Sequence, residues 1–167
     1  GFTGALVLGT QTHRLSGVLA VPLGSTTPSA NLTIVRRGQA SLVLNVTIQS
    51  NSGMATGTIS DGITTLPFLA RQPVTDTAPY LANFTVAMLI DFTQEGDESV
   101  PQGHSIGGFK VTSRGVAGVL KLADNTTVPF SGPLEKNGCL TLYRTLYKNT
   151  GSVVGVLNIN AGAGSTL

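Results

Sequence analysis

Short runs of alternating apolar and polar residues, separated by turn residues, fill almost the whole chain. A period of two places one face of each strand against a core, and no long segment repeats apolar residues at a helical spacing. Turn dipeptides such as Asp61-Gly62 and Asn137-Gly138 separate the runs. The pattern predicts strands at residues 2–9, 14–22, 30–37, 41–49, 53–60, 63–71, 81–91, 106–113, 115–123, 126–134, 138–148 and 151–159.

Regular turns between short strands favour an all-β fold in which most neighbours are antiparallel. We therefore predict a barrel or barrel-like sandwich of about 10–12 short strands, built from two similar halves. A length of 167 residues fits one domain, or two small domains at most. The prediction is a single domain at 1–159, with candidate halves at 1–71 and 80–159, a linker at 72–79 and a flexible tail at 160–167.

The apolar faces of these strands predict the residues of the core. They are Leu6, Leu8, Leu19, Val21, Leu32, Ile34, Leu42, Leu44, Val46, Phe84, Val86, Phe109, Leu120, Leu122, Leu142 and Val154.

Composition excludes several classes of partner. Charged residues make up 11% of the chain, the net charge is +2, and the only adjacent basic residues are Arg36-Arg37. A clustered basic face is absent from the sequence, so we expect no nucleic-acid partner. No apolar run approaches the roughly 18 residues of a membrane-spanning helix, so no membrane span is predicted. Few charges, abundant Gly, Ser and Thr, and a single Cys are typical of a secreted or cell-surface bacterial protein.

An internal repeat links the beginning of the chain to its last third. Residues 1–21 align with residues 115–134 if one gap is allowed, which places Gly4 on Gly118 and Leu6 on Leu120. A glycine weakens a strand, so it tends to mark a bend or a close approach of another backbone. The alignment predicts a duplicated hairpin, although so short a motif also arises by chance in a Gly-rich β protein.

Two tyrosines are candidate ligand-binding residues. In the strand predicted at 138–148, alternation places Tyr143 and Tyr147 on the same face. One interpretation is an aromatic platform on which a sugar or a base stacks. The other is a pair of rings at a wet rim of the sheet.

Four acidic residues form a candidate calcium site. Asp91, Glu95, Asp97 and Glu98 lie within eight residues of one another in a polar loop, and carboxylates are preferred calcium ligands. Their spacing does not match the EF-hand pattern, so the alternative is a solvated loop. No other metal and no cofactor is expected.

The remaining reactive side chains do not predict an enzyme. Cys139 has no neighbouring base in sequence and is expected to be a buried, inert thiol. His13 and His104 occupy turn-like positions far apart, and "GHSIGG" at 103–108 lacks the context of a nucleophile elbow. Four N-x-T sequences are glycan acceptors only if the protein is a eukaryotic secreted one. These begin at Asn31, Asn45, Asn83 and Asn125.

The sequence "GVAGVLKLADNTTVPFSGPLEKNGCLTLYRTLYKNTGSVVGVLNI" at 115–159 resembles the end of a Gly-rich all-β module. That module recurs in very large secreted or surface proteins of verrucomicrobia-like bacteria. The segments at 1–19 and 53–74 are similar to its earlier strands, so the resemblance covers most of the chain. It departs from the module at Cys139 and Val156, where the module has tryptophan.

The resemblance implies a non-catalytic structural or adhesive module, with other protein modules, copies of itself or glycans as partners. The alternative is a carbohydrate- or small-ligand-binding barrel. The resembling module also has a strand before the position of Gly1, so we expect an open sheet edge that a neighbour fills. The candidate donors are Gly1–Leu8 and Ile159–Leu167, unless the fold closes without that strand.

Overall fold

A computed structural model describes residues 1–49, 51–98 and 102–162. Strands account for 56% of these described residues. Within the described ranges the helical segments are single turns of 3-10 helix, at Ala78–Tyr80, Phe92–Gln94, Lys136–Gly138 and Tyr147–Asn149. The all-β prediction is confirmed.

Each of the predicted strand regions overlaps one observed strand. The strands are β1 (Phe2–Leu8), β2 (Gln11–Gly17), β3 (Ser29–Ile34), β4 (Leu42–Gln49), β5 (Met54–Ser60), β6 (Thr65–Arg71), β7 (Ala82–Met88), β8 (Ser105–Thr112), β9 (Gly115–Lys121), β10 (Thr127–Gly132), β11 (Cys139–Leu146) and β12 (Gly151–Asn158). The largest boundary errors are at β2, which begins three residues before the predicted start and ends five residues before the predicted end. Gly9 takes a φ of 58°, which allows a two-residue turn and brings β2 forward.

All strand pairs are antiparallel and join strands that are consecutive in the chain. The chain divides into two compact units, Gly1–Gln72 and Pro73–Leu167. The first contains the hairpin β1–β2 and the meander β3–β4–β5–β6, and the second contains the meander β7–β8–β9–β10 and the hairpin β11–β12. Among the described residues none of the four sheets closes on itself, so the closed-barrel form of the prediction is not what the strands build.

The second unit has a sandwich-like core between its meander and its hairpin. Phe84 and Phe109 stack with ring centroids 4.9 Å apart, and Phe130 lies against Phe109 at a tilt. Both sheets contribute to one buried cluster, which is the form of packing that a β-sandwich requires. The cluster consists of Phe109, Val111, Val116, Leu120, Val128, Phe130, Leu134, Leu140, Leu142 and Ile159.

The first unit buries fewer side chains. Among its described residues, the buried apolar side chains are Leu42, Leu44 and Val46, all on one face of β4. Leu6, Leu8, Leu19, Leu32 and Ile34, which were predicted to be core, are half-buried.

Two core predictions are wrong. Val21 is 57% exposed because β2 ends at Gly17, so strand alternation no longer applies to it. Val154 is 72% exposed because it faces outward from β12, whereas Val153 and Leu157 on the opposite face pack against the core.

The segment predicted as a linker and part of the predicted tail are hydrogen-bonded in the second unit. The Val74 N–H donates to the Leu134 carbonyl at 2.8 Å, and the Gly162 N–H donates to the Pro79 carbonyl at 3.1 Å. Residues 163–167 of the predicted tail lie outside the described residues.

The two meanders have the same strand register. In the first, Gly57 on the third strand faces Val46 on one side and Phe68 on the other. In the second, Gly118 faces Phe109 and Phe130 in the same way. The meander is therefore a repeated structural plan, carried once by each unit.

The two hairpins match the two halves of this meander. Gly4 faces Leu15 in β1–β2, as Gly118 faces Phe130 in β9–β10, which is the register that the sequence alignment implied. At the start of β11–β12 the Ile159 N–H donates to the Gly138 carbonyl at 2.7 Å. The Ile48 N–H makes the same bond to Pro28 in β3–β4 at 2.9 Å. Thus β1–β2 corresponds to the last two strands of the plan, and β11–β12 to its first two.

Candidate functional site

The two candidate tyrosines lie in different local structures. Tyr143 is half-buried on the outward face of β11, opposite Val154 of β12. Tyr147 follows the end of β11, in the turn to β12, and is 54% exposed. The strand alternation that placed both rings on one face stops at Leu146, so it does not extend to Tyr147.

The turn that carries Tyr147 has an unusual backbone. Tyr147, Lys148 and Asn149 have φ values of 50°, 55° and 75°, a left-handed conformation that non-glycine residues rarely adopt. The Thr150 hydroxyl donates to the Tyr147 carbonyl at 2.7 Å and closes the turn. Such backbone persists only where other contacts hold it.

Asp124 supplies one of those contacts. The Tyr147 hydroxyl donates to Asp124 Oδ2, and the Thr126 N–H donates to Asp124 Oδ1 at 2.9 Å. The Tyr147 hydroxyl, followed by the Thr126 N–H and hydroxyl, lowers the pKa of Asp124 below its ordinary value, because these donors stabilise the carboxylate. In return, the Asp124 carboxylate raises the pKa of Tyr147. This cluster of Asp124, Thr126 and Tyr147 ties the β9–β10 turn to the β11–β12 turn and holds an exposed ring in a fixed place.

The four acidic residues of the candidate calcium site do not converge. Among the described residues no group of three or more His, Cys, Asp or Glu side chains is placed to hold a metal ion. Asp91 instead accepts hydrogen bonds from the Thr93 N–H and hydroxyl at 2.9 and 2.7 Å, which caps the 3-10 turn after it and lowers the pKa of Asp91. Glu95, Asp97 and Glu98 follow on the exposed loop.

The remaining reactive side chains have structural surroundings. Cys139 is a buried free thiol whose Sγ lies 3.3 Å from Asn158 Oδ1. Ser105, from the "GHSIGG" segment, is buried and accepts the Ala123 N–H at 3.1 Å. His104 Nδ1 accepts the Ile90 N–H at 3.2 Å. His13 lies within β2 opposite Leu6 rather than in a turn, so its sequence prediction is wrong.

A shallow cleft occurs in the first unit. Its volume is about 310 Å³, at the lower end of the range for small-molecule sites. The described residues that line it are Thr26, Thr27, Ile48, Gln49, Asn51 and Ser52.

Two free strand edges, one in each unit, are further candidate sites that sequence reasoning identified only in part. Among the described residues, β1 pairs only with β2 and β12 pairs only with β11, so each strand has one free edge. The sequence contained a signal for the underlying repeat, because "TTLPF" at 64–68 and "TTVPF" at 126–130 occupy the same register position. The hairpin alignment of 1–21 with 115–134 did not include the first of these segments.

Comparison with known proteins gives no match. No family description, no curated protein and no solved structure matches this chain. Among the described residues there is no helix long and apolar enough to cross a membrane.

Proposed function

We propose that this chain is a non-catalytic structural or adhesive module of a secreted or cell-surface protein. Its partners would be other protein modules or further copies of the same chain, and glycan binding belongs to the second candidate function below. The low charge, the abundance of Gly, Ser and Thr, and the single Cys support an extracellular setting.

The observation that carries this proposal is the repeated meander. The same antiparallel plan, with the same glycine on its third strand, occurs in both units and in half form in the two hairpins. Proteins built from repeats of one supersecondary unit extend in one direction and present long surfaces, which is an architecture suited to structural and binding roles.

Exposed apolar side chains recur at one position of the repeated plan. Val43, Ile106 and Val154 occupy equivalent outward positions on β4, β8 and β12 and are 42%, 59% and 72% exposed. Contiguous exposed apolar patches are typical of protein–protein contacts, and Val154 lies on the same face of β12 as Val156, which is 43% exposed. The recurrence of exposed apolar side chains supports an adhesive or assembling role.

A small-ligand-binding protein is the second candidate function. The cleft in the first unit favours it, because the cleft combines Ile48 with the polar side chains of Thr26, Gln49 and Ser52. Tyr143 and Tyr147 belong to the second unit and would form a different ligand surface.

Thermal unfolding with a panel of ligands separates the two functions. A ligand that binds only the folded state at a hundred times its Kd adds about 2.7 kcal/mol of stability, which raises the Tm by several degrees. For a structural module we expect no such shift with calcium, with simple sugars or with a panel of oligosaccharides.

Variants locate the source of any shift. If a sugar raises the Tm of the native chain and Tyr143→Ala or Tyr147→Ala removes that effect, the tyrosines form a ligand site. The matched comparison for the cleft is Gln49→Ala. A ligand-induced Tm shift that is abolished by a tyrosine variant or by Gln49→Ala would overturn the structural proposal in favour of the ligand-binding one.

A further inference from the structure

We propose that the free edge of β12 pairs with the free edge of β1 from a second copy of this chain, in the register of the β4–β5 and β8–β9 pairs. This inference rests on the proposed structural function and deepens it by naming the partner. The result is a continuous antiparallel junction that joins copies head to tail.

The repeated plan identifies the two edges as complementary. β12 corresponds to β4 and β8, which are second strands of a meander, and β1 corresponds to β5 and β9, which are third strands. In both complete meanders the second and third strands are paired along their length. In the described residues β12 and β1 are the second and third strands that lack this pairing.

The two existing junctions fix the register of the proposed one. Val46 faces Gly57 in the first meander and Phe109 faces Gly118 in the second. The equivalent pair is Leu157 facing Gly4 of the second copy. On one side of this pair Ile159 faces Phe2. On the other side Val156 faces Ala5, Gly155 faces Leu6, and Val154 faces Val7.

The side chains of both strands fit this register. Phe2, Leu6 and Leu8 are half-buried on one face of β1, and the residues between them are exposed or are Gly4. Val153 and Leu157 point to the core from β12. Pairing in the proposed register places these apolar faces on the same side of the combined sheet, because side chains of directly opposed residues share a face. Exposed Val154 and Val7 then cover each other on the outer side.

Gly4, on the free edge of β1, gives an independent argument when it is compared with the equivalent glycines of the two meanders. A Cβ at Gly57 would overlap the Asn45 carbonyl oxygen, and one at Gly118 would lie 2.5 Å from the Gly108 oxygen, so these positions need glycine because a neighbouring strand is close. At the equivalent Gly4 the nearest atom to such a Cβ is 4.0 Å away. Among the described residues no strand lies against this side of Gly4, and a neighbouring strand would explain why this position carries a strand-weakening glycine.

Both edges also lack the features that prevent strand addition. Natural edge strands are commonly blocked by charged side chains, prolines or bulges. Neither β1, "FTGALVL", nor β12, "GSVVGVLN", contains a charged residue or a proline. Each strand is seven or eight residues long, so each presents an uninterrupted ladder to a partner.

The two edges are different surfaces, so the contact is heterologous. A heterologous contact forms either a closed ring or an open chain of copies, and it does not form a two-fold symmetric dimer.

Sedimentation velocity over a range of protein concentrations tests the association, and Gly4→Val tests its register. In a single copy the added Cβ lies at ordinary contact distance, 4.0 Å, from Leu15, but in the junction it collides with the partner backbone. Overpacking of this kind is expected to move association to a concentration at least about tenfold higher. The matched control is Ala5→Val, which should associate normally because Val119 occupies the equivalent position in β9. Circular dichroism and thermal melts confirm that both variants keep the native fold.

Disulfide trapping checks the register directly. In the double variant Ala5→Cys with Val156→Cys, the two thiols of neighbouring copies lie opposite each other, within the Cβ separation that a disulfide needs. Oxidation is expected to give a ladder of covalent oligomers on a non-reducing gel. The pair Ala5→Cys with Val154→Cys is two residues out of register and should give at least about tenfold less product, because diagonal Cβ atoms are roughly 7–8 Å apart.

Three results would overturn the proposal. They are a native chain that stays monomeric at every concentration, equal association of Gly4→Val and Ala5→Val, and a disulfide that forms within one copy. A monomeric chain that also shows no ligand-induced Tm shift would end this inference and leave the proposed structural function standing. A ligand-induced rise in Tm would contradict the proposed structural function, whether or not the copies associate.

Discussion

At the scale of single residues, the hydrogen bond between the Tyr147 hydroxyl and the Asp124 carboxylate shifts the pKa of both groups. The pKa of Asp124 is lowered chiefly by the Tyr147 hydrogen bond, and the pKa of Tyr147 is raised chiefly by the same bond. A carboxyl group with a lowered folded-state pKa stabilises the fold above its unfolded pKa of about 3.9. That contribution is lost as the pH falls through the folded-state value. The Tyr147 contribution is complete below about pH 10 and is lost as the pH rises through its raised pKa.

Replacement of the hydroxyl tests this coupling. In Tyr147→Phe we expect the pKa of Asp124 to rise toward its ordinary value, because the largest hydrogen bond that lowers it is gone. Carbon-13 NMR titration of the aspartate side chains measures the change.

Asp61 is the internal control for that titration. Its pKa is lowered by the backbone N–H groups of Thr64 and Ile63, so it should be unaffected by the substitution. An unchanged Asp124 titration in Tyr147→Phe would contradict the coupling. Tyr143→Phe, which alters the other candidate tyrosine, should leave Asp124 as it is.

At the scale of the element, β12 shows how strand alternation decides the cost of a substitution. Val153 packs against the core of the second unit, whereas the adjacent Val154 is 72% exposed. The two residues have the same side chain and are adjacent in sequence, so the face of the strand is the main difference between them.

A matched pair of aspartate variants measures that difference. Val153→Asp is expected to lower the free energy of unfolding by about 2 kcal/mol or more, since it places a carboxylate against apolar side chains. Val154→Asp should cost less than about 1 kcal/mol, chiefly from the lower strand propensity of Asp. Urea unfolding at a protein concentration below any association gives both values. Equal losses for the two variants would show that β12 is assigned to the wrong register.

At the scale of the whole molecule, the buried side chains are distributed unevenly between the two units. Of the fourteen apolar residues that are buried in the described part of the chain, three belong to Gly1–Gln72 and eleven to Pro73–Leu167. Because buried apolar area is the main favourable contribution to folding, the second unit should be the more stable of the two.

Expression of the two units as separate chains tests this expectation. We expect residues 73–167 to fold alone with a cooperative thermal transition, and residues 1–72 to be less stable or unfolded at the same temperature. Circular dichroism and the dispersion of amide NMR signals distinguish the outcomes. A first unit that melts at the higher temperature would contradict the argument from burial.

The sequence predicted the features of the fold that depend on residues close together in the chain, and it predicted less well those that depend on distant contacts. Alternation and turn residues are local, and they were enough to find each strand in the described residues, with boundary errors of at most five residues. They also identified Leu42, Leu44 and Val46 as core. They failed at Val21 and Val154, because alternation continues in the sequence beyond a strand end and does not by itself say which of two apolar faces is buried.

The amino-acid sequence by itself determined the class of fold, the order of the strands and the repeat that relates β1–β2 to β9–β10, since each follows from patterns within about twenty residues. The tertiary structure alone decided which sheets form, where Tyr147 lies and how Asp124 engages it, because these depend on contacts between residues far apart in the chain. It also showed that Gly57 and Gly118 lie against a neighbouring backbone, while a Cβ at Gly4 would reach only the Leu15 side chain, at an ordinary contact distance. A glycine in a sequence has no side chain to reveal its surroundings, so only the positions of the neighbouring strands could distinguish the three.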